Sequence, residues 1–121
     1  MKSKILALSK NEEFKSLLKK NKLSNKYVTI FFGKLYNKKK NKLNISFVTK
    51  KKIGNAVKRN KIKRRLRNMI NDAVKNITIN FSYSYLVIAK STMLNNDYTN
   101  IKETLFQSFK KIKWWKLLNQ Y

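Results

Sequence analysis

A chain of 121 residues that is 42% hydrophobic and 12% aromatic is sized for one domain, residues 1–121, with one buried core. Its 30 basic residues stand against 5 acidic ones, a formal net charge of +25, so its partners are polyanions: nucleic acid first, an anionic membrane surface second. The absence of His and Cys excludes His-based triads, cysteine nucleophiles, disulfides and the usual zinc sites.

In chain order, the opening ten residues hold an apolar stretch only from Ile5 to Leu8, too short for a secretory signal, and no later run is long enough to span a membrane. With no cysteine, a reducing cytoplasm is the expected compartment. Residues 11–20 read as a short helix, capped by Asn11, with Glu12 and Glu13 at its positive end and Phe14, Leu17 and Leu18 as its apolar stripe. Residues 27–35 read as a strand, with Tyr27, Thr29 and Phe31 on one face and Val28, Ile30 and Phe32 on the other. After a polar turn over 37–42, a second strand over 43–50 is expected to form a hairpin with the first.

Gly54 breaks the chain, and Asn55 caps a helix over 55–75, roughly 30 Å long at ~1.5 Å per residue. Its core-facing side is Ile62, Leu66, Met69, Ile70 and Ala73. Residues 76–80 form a turn or a short edge strand. A strand follows over 83–90 through Tyr85, Leu86, Val87, Ile88 and Ala89. Asp97 or Thr99 starts the last helix, which carries Ile101, Leu105, Phe109 and Ile112. The order of elements points to an α+β sandwich with helices on a small sheet. Trp114 and Trp115 either close the core or mark a membrane interface, core closure being the reading preferred.

All the arginines fall between Arg59 and Arg67, while lysines run the length of the chain. The abundance of Lys, Asn and Ile fits an AT-rich genome, but that does not cluster arginine. Arginine grips phosphate bidentately, so the cluster reads as a polyanion contact rather than a solvated face. At about 100° per residue, Asn60, Arg64 and Arg67 lie opposite the apolar side, with Arg59 and Lys63 at one border and Lys58 and Arg65 at the other. Lys61/Arg65 and Lys63/Arg67 are like-charged pairs at i,i+4, each destabilising by roughly 0.2–0.5 kcal/mol. The acids Glu12, Glu13, Asp72, Asp97 and Glu103 are too scattered for a two-metal nuclease, and Gly33 and Gly54 alone make no glycine-rich phosphate loop. No catalytic side chain is read from the sequence, and no metal ligand is assigned.

Gly54-Asn55-Ala56-Val57-x-Arg59-Asn60-x-x-Lys63-Arg64, then Leu66-Arg67, preceded by Lys51-Lys52-Ile53, resembles the signature of the bacterial ribonuclease P protein component. Asn11 to Phe14, Tyr85 to Lys90 and Tyr98 to Phe109 resemble that family's first helix, last strand and last helix. The resemblance implies a two-layer α/β sandwich of αβββαβα-type order, with a mostly antiparallel sheet and a left-handed βαβ crossover through the basic helix. It implies a subunit that pairs with a catalytic RNA and helps remove the 5′ leader of precursor tRNA. Mg²⁺ would be bound mainly by the RNA subunit and substrate, and neither a membrane nor a small-molecule substrate is involved. RNA binding would fall to Lys51, Lys52, Asn55, Lys58, Arg59, Asn60, Lys63, Arg64 and Arg67. Leader binding would fall to Phe14 and a first-strand aromatic, Tyr27 or Phe31, with Phe32 a further candidate. Phe14 and Phe31 fit core packing equally well. The sequence departs from the family's pattern at Leu18, where a second aromatic is frequent, and at Lys50, where a small polar residue is usual. A structural ribosomal or general RNA-binding protein is the competing reading.

Overall fold

Strand alternation decides how this chain folds. The computed structural model describes residues 5–8, 11–35, 42–76 and 79–113. The elements run β1 (Ile5–Leu6), α1 (Asn11–Leu18), β2 (Asn21–Ser24), β3 (Val28–Gly33), β4 (Leu43–Val48), α2 (Ala56–Asn76), β5 (Ser84–Ala89) and α3 (Tyr98–Lys113), with short 3-10 turns at Lys51–Ile53 and Ser91–Leu94. The strands form one sheet in the order β1-β4-β5-β3-β2.

Every second strand residue points to one face. Val28, Ile30 and Phe32, Leu43 and Ile45, and Tyr85, Val87 and Ala89 meet the stripes of α2 and α3 in the main core. Each large apolar side chain buried there contributes on the order of 1.5–3 kcal/mol. Leu86 on the other face, with half-buried Phe31, Val48 and Ile88, packs with Leu8, Leu17 and Phe14. The short α1 thus adds a partial layer to the expected two, leaving that face incompletely covered. Leu17 is fully buried, but Leu18 is 47% exposed rather than part of the stripe. The helix closes there through bonds from Lys19 N to Ser16 O and from Lys20 N to Leu17 O.

The expected hairpin between the strands over 27–35 and 43–50 does not form. β5 lies between them, with Tyr85 opposite both Phe32 and Ile45. The reason is burial: β5 is apolar on both faces, which suits a central position. The sheet is mixed. β2 with β3 and β3 with β5 are antiparallel, whereas β1 with β4 and β4 with β5 are parallel. The parallel β4–β5 pair makes α2 the crossover helix. β2 is not expected from its residues; Asn-Lys-Leu-Ser is mostly exposed and is held by backbone pairing to β3.

Asn25 shapes the entry to β3. Its Oδ1 accepts from the backbone N–H of Tyr27 at 2.8 Å and of Val28 at 2.9 Å, while its Nδ2 donates to Ser108 Oγ of α3 at 2.8 Å. This turn puts the Tyr27 ring, 5% exposed, into the main core, so Tyr27 does not share a face with Phe31. The 80–83 stretch is a turn in which Asn80 O accepts from Tyr83 N and from the Tyr85 hydroxyl, the latter at 2.7 Å. Burial, reinforced by neighbouring Tyr83, pushes the Tyr85 hydroxyl well above its usual pKa. No described helix is long and apolar enough to cross a membrane. The side chain of Asn11, and with it the expected cap, the 37–42 turn apart from Lys42, and Trp114-Trp115 lie outside what the structure describes.

Candidate nucleic-acid interface

The basic motif is built from its own first turn. Ile53 is buried and anchors the 3-10 turn, leaving Lys51 and Lys52 exposed. Asn55 then caps α2: its Oδ1 accepts from Lys58 N at 3.0 Å, and its backbone carbonyl accepts from Arg59 N. The side-chain bond satisfies a helix N–H that would otherwise lack a partner.

Beyond the cap, Ile62, Leu66, Met69, Ile70 and Ala73 are buried as the periodicity predicts. That fixes the rotation of α2 and so decides where each cation lies. Asn60 and Arg64 are exposed on the crest. Arg59 is half-buried, and its Nε is removed from water without a hydrogen-bond partner. Asp72, the acid of α2, is held by Lys102 of α3 at 2.8 Å, and that bond raises the Lys102 pKa. No acid precedes it in the helix.

Lys63 and Arg67 project into a cleft of about 490 Å³ between α2, α1 and β4. Phe14 of α1 and Phe47 of β4 line it, together with Ala7, Ile45 and Ser46. The cleft opens where β4 runs past its partner. Among the described residues β1 pairs with Leu43 and Asn44, after which Leu8 N donates to Ser46 Oγ at 2.8 Å. Aromatic surface and guanidinium charge therefore share one cavity, a combination that suits unpaired nucleic acid.

The expected site residues divide accordingly. Phe14, Lys63 and Arg67 come together in the cleft. Phe31, like Phe14, packs against the second cluster, and it lies by Lys22, whose Nζ is 6.0 Å from its ring centroid, but it does not line the cleft. Tyr27 and Phe32 lie in the main core, on the face of the sheet opposite Phe31, and do not line the cleft. Lys58 lies on the far flank of α2, in a separate groove with Lys61 and Arg65. Phe47 is not singled out by the sequence. Its signal is an aromatic in a strand next to the basic helix, but the packing of α2 on β4 that puts it beside Lys63 and Arg67 is a non-local event. Among the described residues no three His, Cys, Asp or Glu side chains gather into one group that could hold a metal ion.

Comparison with known proteins gives a consistent family. A family model described as Ribonuclease P matches residues 3–113. The chain is 36% identical over 99 residues to a "Ribonuclease P protein component" from Mesoplasma florum, covering 81% of this chain and 86% of the relative. It is 31% identical over 110 residues to one from Carboxydothermus hydrogenoformans, covering 88% and 90%. The fold matches the RNase P protein structure from Thermotoga maritima with TM-score 0.74 at 22% identity, covering 88% of this chain and 96% of that one. It matches that from Staphylococcus aureus with TM-score 0.74 at 24% identity, covering 88% and 94%.

Proposed function

The chain belongs to the ribonuclease P protein family, the protein component of a tRNA-processing endoribonuclease, and from that premise we propose how it works. It binds the RNA subunit through α2 and the 3-10 turn before it, and it holds the single-stranded 5′ leader of precursor tRNA in the cleft beside α2. The observation that carries this reading is the meeting of Phe14 and Phe47 with Lys63 and Arg67 in one cavity.

The chain contributes binding rather than bond-breaking. Aromatic faces stack on bases of any sequence, and the cations beside them hold the intervening phosphates, so a leader is gripped with little sequence preference. Arg64 on the crest and Lys51 and Lys52 before the cap screen repulsion between RNA strands. Hydrolysis of the phosphodiester belongs to the RNA subunit, with Mg²⁺ held by RNA and substrate. The scattered carboxylates and the absence of histidine support that division.

Low-Mg²⁺ reconstitution tests it. Purified protein added to a cognate RNA subunit should restore leader removal at a Mg²⁺ concentration where the RNA alone is slow. No stimulation, with RNA binding intact, would leave a general RNA-binding protein instead.

A further inference from the structure

Two polar atoms near the start of α2 are buried and, among the described residues, lack a hydrogen-bond partner: Oγ1 of Thr49, between β4 and the 3-10 turn, and Nε of Arg59. Thr49 is 9% exposed, so its hydroxyl is not a surface group. Keeping a hydroxyl and a guanidinium N–H dry and unpaired is costly. Valine has the same branched shape as threonine and would carry no hydroxyl to satisfy. Packing alone does not account for Thr49.

The two orphans belong to neighbouring rungs of the same helix–strand contact. α2 runs back along β4 as the crossover to the parallel β5. Ile45 and Phe47 of β4 share a cavity with Lys63 and Arg67 of α2. One step further along the strand, alternation brings Thr49 to the face of Ile45 and Phe47. One turn back along the helix, Arg59 precedes Lys63 by four residues. The strand step is roughly 6.6 Å and the helix step roughly 6 Å, so the two advance together. At about 100° per residue, Arg59 falls between Leu66 and Ile70 around the helix, which carries its stem and Nε into the contact while the half-buried side chain still reaches solvent.

Resting on the function proposed above, we propose that Thr49 is a positioning residue that acts through Arg59. One bridging water accepts the Nε–H of Arg59 and donates to Thr49 Oγ1, which satisfies both buried atoms. The guanidinium is planar, so fixing Nε fixes the direction of both Nη groups. They are then held toward a bound RNA phosphate without the loss of side-chain freedom that an untethered arginine undergoes on binding. Thr49 itself touches no RNA.

Thr49→Val, Thr49→Ser, Arg59→Lys and the double variant Thr49→Val with Arg59→Lys test this. Thr49→Val should keep or raise the melting temperature of the free protein, yet weaken binding to the RNA subunit roughly two- to tenfold, the range of one hydrogen bond. The salt slope should not move, because no charge is removed. Thr49→Ser keeps the hydroxyl and should bind RNA like the parent, even where the lost methyl lowers its melting temperature. Lysine has no Nε–H to orient, so in the Arg59→Lys background Thr49→Val should weaken binding no further. A merely structural role gives the reverse, with affinity following stability. If Thr49→Val binds RNA as tightly as the parent, or loses as much affinity in the Arg59→Lys background, the positioning role falls and the function stands. If the parent protein binds the RNA subunit no better than a lysine-rich protein of equal net charge, the function itself is wrong and Thr49 has nothing to position.

Discussion

α2 and α3 pack on the same face of the sheet with stripes of the same kind. α2 buries Ile62, Leu66, Met69, Ile70 and Ala73; α3 buries Ile101, Leu105, Ser108, Phe109 and Ile112. Their outer faces are not alike. α3 mixes Glu103 with Lys110 and Lys111 and lends Lys102 to Asp72, whereas α2 carries every arginine of the chain and no acid before Asp72. A helix can therefore cover this sheet without a wall of like charge. The packing of α2 is explained by its stripe, and its arginines need another cause.

The largest effects should fall equally on the two stripes. Leu66 is 0% exposed and Leu105 is 1% exposed. Truncation of either to alanine should cost about 2–5 kcal/mol in urea denaturation, from reduced burial and the cavity left behind. A destabilisation confined to one helix would break the equivalence on which the comparison stands.

The outer faces should separate next. Arg64→Ala with Arg67→Ala should lower RNA affinity by roughly tenfold for each charge-assisted hydrogen bond removed, about 1.5 kcal/mol each, and reduce the salt slope by about one unit per phosphate set free. Lys110→Ala with Lys111→Ala removes the same formal charge and should leave the slope nearly as it was. Equal slopes for the two variants would mean that net charge, not its placement on α2, holds RNA.

Much of this contrast is legible in the residues. Ile62 through Ala73 recur at helical spacing, so the rotation of α2 follows, and with it the placing of Lys63 at one border and Lys58 and Arg65 at the other. Asn55 announces its cap. What local pattern could not carry is non-local. β5 is apolar on both faces, a sign of a central strand, but nothing near Tyr85 says that it separates β3 from β4. Asn25 captures two N–H groups and shifts Tyr27 out of the alternation of β3, so a face assigned by counting is wrong at its first residue. Phe47 meets Lys63 and Arg67 because α2 packs back against β4, a contact between separate parts of the chain.

The smallest expected effect concerns the starts of the two helices. Asp97 immediately precedes α3, and its carbonyl accepts from Ile101 N. A carboxylate there favours the positive end of the helix dipole. α2 begins instead with neutral Asn55, whose Oδ1 caps Lys58 N. Aspartate caps as well as asparagine and would add about 0.3–1 kcal/mol through the dipole. The better residue for the isolated helix is thus not the one present; under the proposed function, a carboxylate among exposed Lys51, Lys52 and Lys58 would cancel charge that the RNA backbone draws on. Asn55→Asp should raise the melting temperature of the free protein yet weaken RNA binding, with the salt slope lower by about one unit. Asn55→Ala should cost roughly 1 kcal/mol of stability and leave the slope alone, which separates the cap from the charge. An aspartate variant that is more stable and binds RNA as tightly as before would put the first turn of α2 away from phosphate and confine the RNA-binding surface to the turns from Lys61 onward.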